Sequence, residues 1–123
     1  MEFDQLSNKV IGCALEVHRH LGPGLLESTY EACLAYELET AGLAHKRQHP
    51  LPVVYKTVSL DCGYRVDLMV EEGLIVELKS VEKMLLIHEA QLLSYMKLAG
   101  VSVGLLINFN VGLLKDGIKR MVL

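Results

Sequence analysis

Much of what this chain is can be narrowed from what it lacks. No apolar stretch could form a membrane helix: the run from Val101 to Phe109 is interrupted and far short of the ~20 residues a bilayer core demands. The N-terminal Met1-Glu2-Phe3-Asp4 is acidic and has no basic segment leading into an apolar one, so no secretory signal is expected. Three cysteines, Cys13, Cys33 and Cys62, follow no metal-ligand spacing and cannot all pair. They point to a reducing, cytoplasmic compartment and to buried thiols. There is no basic excess either, since 12 Lys and Arg stand against 15 Asp and Glu for a net charge of −3. That excludes a broadly basic nucleic-acid coat but leaves room for a local basic site. Internal repeats, low-complexity segments and linkers are also missing.

What remains is a globular composition, 51% hydrophobic and 22% charged. A length of 123 residues predicts one domain over residues 1–123, large enough to bury a full core without disulfides or metals as staples.

Leu6, Val10, Cys13, Ala14, Val17 and Leu21 recur at three- and four-residue steps, which predicts a helix from about Asp4 to Leu21 capped by Asp4 or Ser7. His18, Arg19 and His20 suit the C-terminal end of its dipole and are expected on solvated surface. Leu21-Gly22-Pro23-Gly24 breaks the chain before a second helix, about Leu26 to Ala41, which Gly42 ends. Glu27, Tyr30 and Glu31 lie in its first turns, and the helix dipole alone gives Glu27 a structural reason to be there. His45 to Tyr55 reads as a strand bent or edged by Pro50 and Pro52. With Lys46, Arg47, His49 and Lys56 it is the most basic stretch of the chain. Lys56-Thr57 turns into Val58 to Leu60, and Asp61-Cys62-Gly63 forms a loop.

Tyr64 to Lys79 reads as a hairpin around Glu71-Glu72-Gly73, whose last member, Gly73, can take positive φ without strain. Val66, Leu68, Val70, Leu74, Val76 and Leu78 give it one aliphatic face. The other face carries Arg65, Asp67, Met69, Ile75, Glu77 and Lys79. Pairing outward from Val70 and Leu74 sets Asp67 opposite Glu77, where Cβ atoms sit ~4.5–5.5 Å apart. Two facing carboxylates require a positive charge between them, and Lys79 or a divalent metal would serve. A third helix follows, ending at Leu98 or Ala99 before Gly100. It carries His88, Gln91 and Tyr95 as one polar stripe and Leu92, Leu93, Met96 and Ala99 as its buried arc. The apolar run Val101 to Phe109 suits a strand buried on both faces, and Ile118 to Leu123 a last edge strand.

Asp67, Glu77 and Lys79 on one sheet face are the parts that phosphodiester hydrolysis uses. Hard oxygen ligands hold Mg²⁺, the metal acidifies a water and offsets charge on the phosphate, and a lysine orients that water. A Glu-x-Lys triplet on a strand is also common as a solvated face, and the hairpin pairing is what sets this one apart.

Gly24-Leu25-Leu26-Glu27-Ser28-Thr29-Tyr30 matches a GxxExxY signature. With Leu51-Pro52-Val53, Tyr64-Arg65-Val66-Asp67, Ile75-Val76-Glu77-Leu78-Lys79, the segment His88 to Tyr95 and the segment Gly104 to Phe109, the chain resembles the GxxExxY proteins, a minimal branch of the PD-(D/E)XK nuclease superfamily. The resemblance spans nearly the whole sequence. It implies that Asp67 is the superfamily's aspartate, Glu77 and Lys79 its (D/E)xK pair, Glu27 its helix glutamate, and Gln91 and Tyr95 the QxxxY element of one branch. Val66 stands where many members have proline. The implied fold is α/β (α+β), a restriction-endonuclease-like core whose mixed central sheet follows α-β-β-β-α-β order, with an extra N-terminal helix. The third helix then acts as a crossover that lays the Val101 strand parallel to the Ile75 strand.

The expected function is a metal-dependent nuclease. Asp67, Glu77 and Glu27 would hold Mg²⁺ or Mn²⁺ with the Leu78 carbonyl, Lys79 would position the attacking water, and Gln91 would complete the catalytic set. Tyr95, His88, Tyr30 and Arg65 would face the substrate. Lys46, Arg47 and Lys56 would contact its backbone or simply form a solvated edge. The expected partner is nucleic acid, DNA ahead of RNA, with no membrane and with a homodimer as a further expectation. Two other functions stay open: a nucleic-acid-binding or regulatory protein without efficient cleavage, and a homodimeric protein-interaction module.

Overall fold

A computed structural model describes residues 3–123; Met1 and Glu2, which open the acidic N-terminal stretch, lie outside the described residues. Helix α1 spans Gln5–Leu21. Asp4 caps it, accepting the Ser7 backbone N–H at 2.9 Å and the Ser7 hydroxyl at 2.6 Å. Helix α2 spans Glu27–Thr40. Strands β1 (His45–Pro50), β2 (Val53–Tyr55), β3 (Val58–Leu60), β4 (Arg65–Val70) and β5 (Leu74–Lys79) follow, then helix α3 (Leu86–Ala99) and strand β6 (Val103–Asn108). A 3-10 turn at Leu114–Gly117 leads into β7 (Ile118–Val122).

The main sheet runs β1-β4-β5-β6-β7, and every pair is antiparallel except β5 with β6. Helix α3 is the crossover between those two strands. The sequence α2, β1, β4, β5, α3, β6 is therefore the α-β-β-β-α-β core that the resemblance implies, with α1 and β7 added at its ends. Alternation divides the core. Leu68, Val70, Leu74, Val76, Leu78, Leu105 and Ile107 pack under α1 and α2, whereas Met69, Ile75 and Leu106 pack under Leu92, Tyr95 and Met96 of α3. Val66 joins this second group although its parity matches the first. Gly104 faces α3, where an added Cβ would crowd the tips of Met96 and Leu92, so its missing side chain lets the helix lie close on β6. No helix among the described residues is long and apolar enough to cross a membrane.

Four local expectations are corrected. The strand from His45 to Tyr55 is two strands. Pro52 has no N–H to offer a ladder, Leu51 is buried with its N–H on the Tyr64 carbonyl at 2.8 Å, and the chain leaves the main sheet there. Beyond it, β2 and β3 form a separate two-stranded sheet joined by Lys56-Thr57. In the β4–β5 turn the left-handed residues are Glu71 and Glu72, with φ of 52° and 54°, and not Gly73. The Glu71 N–H reaches the Ala44 carbonyl at 2.8 Å, which ties the turn to the start of β1. His18 is buried rather than solvated, and its Nε2 donates to the Val111 carbonyl at 2.8 Å. Cys62 is exposed, and Cys13 and Cys33 are only half-buried.

The far end of β6 is closed by Asn108. Its Oδ1 accepts the N–H groups of Val81 and Asn110, both at 3.1 Å, and its Nδ2 donates to the Val81 carbonyl at 3.0 Å. The chain leaving Lys79 is thereby fixed to the neighbouring strand. Gly117 packs against the Asn108 carbonyl, and a Cβ there would overlap that backbone oxygen. Gly117→Ala is expected to lower stability by about 1–3 kcal/mol, as overpacking against rigid backbone does. A urea titration followed by circular dichroism will read this as a lower midpoint with an unchanged slope.

Candidate functional site

The β4–β5 ladder pairs Val70 with Leu74, Met69 with Ile75 and Leu68 with Val76. The next opposed residues are Asp67 and Glu77, as the hairpin pattern predicts, but here side chains replace the backbone ladder. Glu77 Oε1 accepts the Asp67 N–H at 3.0 Å, and Asp67 Oδ2 accepts the Leu78 N–H at 2.8 Å. Each carboxylate thus satisfies the other strand. Glu77 is 5% exposed. Burial first, then the Asp67 charge, push its carboxyl up from its ordinary 4.5 to about 8. The Asp67 N–H and the Lys79 charge pull it down by less. Lys79, half-buried two residues along, does not offset the pair by itself.

Tyr95 of α3 is buried beside this pair. Its phenol is pushed up by burial and then by the Glu77, Tyr64 and Asp67 charges, so it stays an O–H donor. The exposed Tyr64 ring leans on it, with centroids 5.9 Å apart and a tilt of 57°. Glu27 opens α2, where its charge suits the dipole, and its Oε1 accepts the N–H of Ser80 at 3.3 Å. The Ser80 hydroxyl donates to the Leu25 carbonyl at 2.6 Å. The start of α2 is in this way fastened to the residue after Lys79, and Gly24, Leu25, Leu26, Thr29, Ser80 and Asn110 line an open groove there.

Several expected site residues serve other purposes. Tyr30 is fully buried, and its ring stacks on Phe109 with centroids 4.4 Å apart and an angle of 8°. Its hydroxyl donates to the Gly22 carbonyl at 2.5 Å and accepts the Leu25 N–H at 3.1 Å. Tyr30 shapes the loop before Glu27 and is corrected from substrate contact to structural support, because no face of it meets solvent. His88 caps α3, its Nδ1 accepting the Leu85 N–H at 3.1 Å. Gln91 is exposed on α3. Arg65 is exposed at the start of β4, with one guanidinium nitrogen 3.4 Å from the Gln48 carbonyl. In the basic stretch, Arg47 pairs with Glu31 at 3.1 Å and Lys46 with Glu72 at 3.8 Å, while Lys56 lies 5.5 Å over the Tyr55 ring. These cations are partly engaged within the protein.

Two polar residues were not anticipated. Gln48 stands opposite Asp67, between the pairs Arg47–Leu68 and His49–Val66, and its Nε2 donates to Asp67 Oδ1 at 3.1 Å. The same nitrogen donates to Glu31 Oε1 at 2.5 Å, and Glu31 is buried in α2. The β1–β4 register is the signal that finds Gln48. Glu31 follows Glu27 by four residues and so lies one turn further along the same helix face.

The donor set fits a hard divalent cation in its chemistry. Asp67 and Glu77 offer carboxylate oxygens, and burial and the Asp67 charge hold the Glu77 carboxyl well above its ordinary value. It does not gather all the expected ligands. Among the described residues, no three His, Cys, Asp or Glu side chains converge as a metal-holding group, and Glu27 is engaged with the Ser80 N–H.

A model of the PD-(D/E)XK nuclease superfamily matches residues 4–121. The chain belongs to that superfamily. No curated protein and no solved structure matches it in the corresponding comparisons.

The raised Glu77 predicts a pH-dependent stability for the metal-free protein. Below about 4.5 the group is protonated whether the chain is folded or unfolded. From there to about 8 the folded protein keeps a proton that the unfolded chain has released. Stability therefore falls as pH rises through that window, by up to about 1.4 kcal/mol per pH unit, and levels off above it. Glu77→Gln is expected to remove this slope. Urea midpoints of both proteins between pH 5 and 9 will test it, and parallel curves would refute it.

Proposed function

We propose that this chain is a phosphodiester-hydrolysing nuclease of the GxxExxY branch, working as one domain over residues 1–123 in the cytoplasm. Its substrate is nucleic acid, with DNA the first to test. The observation that carries this is the cross-strand pair of the half-buried Asp67 and the buried Glu77, whose carboxylates each accept an N–H of the facing strand, with burial and then the Asp67 charge pushing Glu77 up to about 8. A divalent cation is what such a pair lacks.

In this reading Asp67 and Glu77 would hold Mg²⁺ or Mn²⁺ with help from the Leu78 carbonyl. Glu27 adds to the site through water from its place on Ser80. The bound metal would supply an acidified water and electrostatic stabilisation of the phosphate. Lys79 extends from the same strand face as Glu77, where its ammonium would orient the attacking water. Tyr95 keeps its proton and donates it as a hydrogen bond to a phosphate oxygen, and Gln91, one turn earlier on α3, and Arg65 flank the same approach. The exposed Tyr64 ring beside Tyr95 offers a surface on which a base can stack.

Lys79→Ala is expected to abolish Mn²⁺-dependent cleavage of nucleic acid, with loss of activity by a factor of about 10² or more and an unchanged urea midpoint. Cleavage at the wild-type rate would overturn the role of Lys79. By calorimetry, the wild-type chain is expected to bind Mn²⁺ and Asp67→Ala is not. Binding of nucleic acid without turnover under every metal tried would favour the non-cleaving alternative instead.

A further inference from the structure

Gln48 adopts a conformation that its sequence does not favour. Its φ is 47°, in the left-handed region, which strains a residue with a side chain. Neighbouring residues of a strand normally point to opposite faces. Arg47 and Gln48 nevertheless reach one carboxylate, Glu31, at 3.1 and 2.5 Å. The left-handed turn of the backbone is what brings both side chains to α2.

The chemistry of that position is specific to an amide. Glu31 is 7% exposed, so its charge needs donors, and Arg47 and Gln48 supply them. Both partners of the Gln48 amide nitrogen are carboxylate oxygens, Glu31 Oε1 and Asp67 Oδ1. An NH₂ group carries two protons, one for each. A hydrocarbon side chain here would leave Asp67 Oδ1 without this donor. The other oxygen of Asp67 is already held by the Leu78 N–H at 2.8 Å. The two contacts together fix the carboxylate from both sides.

We infer that Gln48 is a positioning residue that holds Asp67 ready for a divalent cation, and that the ion pair between the exposed Arg47 and the buried Glu31 holds Gln48 in turn. This rests on the metal reading of Asp67 and Glu77, and it extends that site to β1 and α2. The bridge exists without metal, so one arm of its test needs none. In the metal-free full-length protein, the two side-chain amide protons of Gln48 should exchange slowly with solvent by NMR. Asp67→Ala and Glu31→Ala should each accelerate that exchange. The second arm is Mn²⁺ affinity by calorimetry. Gln48→Ala is expected to weaken it about 10–100-fold with the urea midpoint little changed, as loss of a residue that orients a ligand does. Glu31→Ala should weaken it similarly, Glu31→Gln, which keeps an acceptor oxygen, should restore most of it, and the Gln48→Ala/Glu31→Ala double variant should be no weaker than either single one. If the wild-type protein takes up no Mn²⁺, the metal reading falls. If it does and Gln48→Ala takes it up equally well, or if the Gln48 amide protons exchange freely, the role of Gln48 falls.

Discussion

Backbone N–H groups between strands are ordinarily answered by carbonyls, and a strand pair that leaves them unanswered loses stability. Between β4 and β5 that exchange stops after Leu68 and Val76, and the carboxylates of Asp67 and Glu77 take it over. The substitution keeps the sheet together while setting two acidic groups side by side at its centre. Accepting an N–H favours the charged form of a carboxylate, but for Glu77 burial and the facing charge outweigh it. The two acidic groups are thus built into the sheet itself and cannot move apart without breaking it.

The surrounding elements converge on that point from both faces of the sheet. Helix α2 approaches from one side through Glu31 and Gln48, and its first residue meets Ser80 next to Lys79. Helix α3 approaches from the other with Tyr95. Strand β6 lies parallel to β5, pairs Asn108 with Lys79, and holds the departing chain through the Asn108 amide. Tyr30, stacked on Phe109, shapes the loop from which Glu27 emerges. Residues with no chemical role of their own therefore decide where the charged ones sit.

The order of elements was legible in the sequence because it rests on local periodicity: three-and-four steps in α1, alternation in β4 and β5, and a near-continuous apolar run in β6. The facing of Asp67 and Glu77 was legible because turn length alone sets the register. It survives although Glu71 and Glu72, rather than Gly73, take the left-handed backbone. Tyr30 misled because it closes the GxxExxY motif that contains Glu27, while its helical angle turns it to the core. Gln48 was hidden because its importance depends on pairing β1 with β4 across an intervening hairpin, which no local pattern encodes. The bend at Leu51-Pro52 concealed it further by making two strands look like one.

That intervening hairpin differs from the rest of the molecule. Strands β2 and β3 pair only with each other and leave Val54, Tyr55, Val58 and Leu60 exposed. A two-stranded sheet with so little burial has almost no free energy of its own to resist opening. It can come apart and re-form while β1 and β4 stay paired and the five-stranded sheet keeps its hydrogen bonds. The chain is therefore two mechanical regimes in series, a stiff sheet that carries the acidic pair and a compliant arm joined to both of that sheet's strands β1 and β4. Residues in the arm are free to vary in length and shape without disturbing the geometry between Asp67 and Glu77.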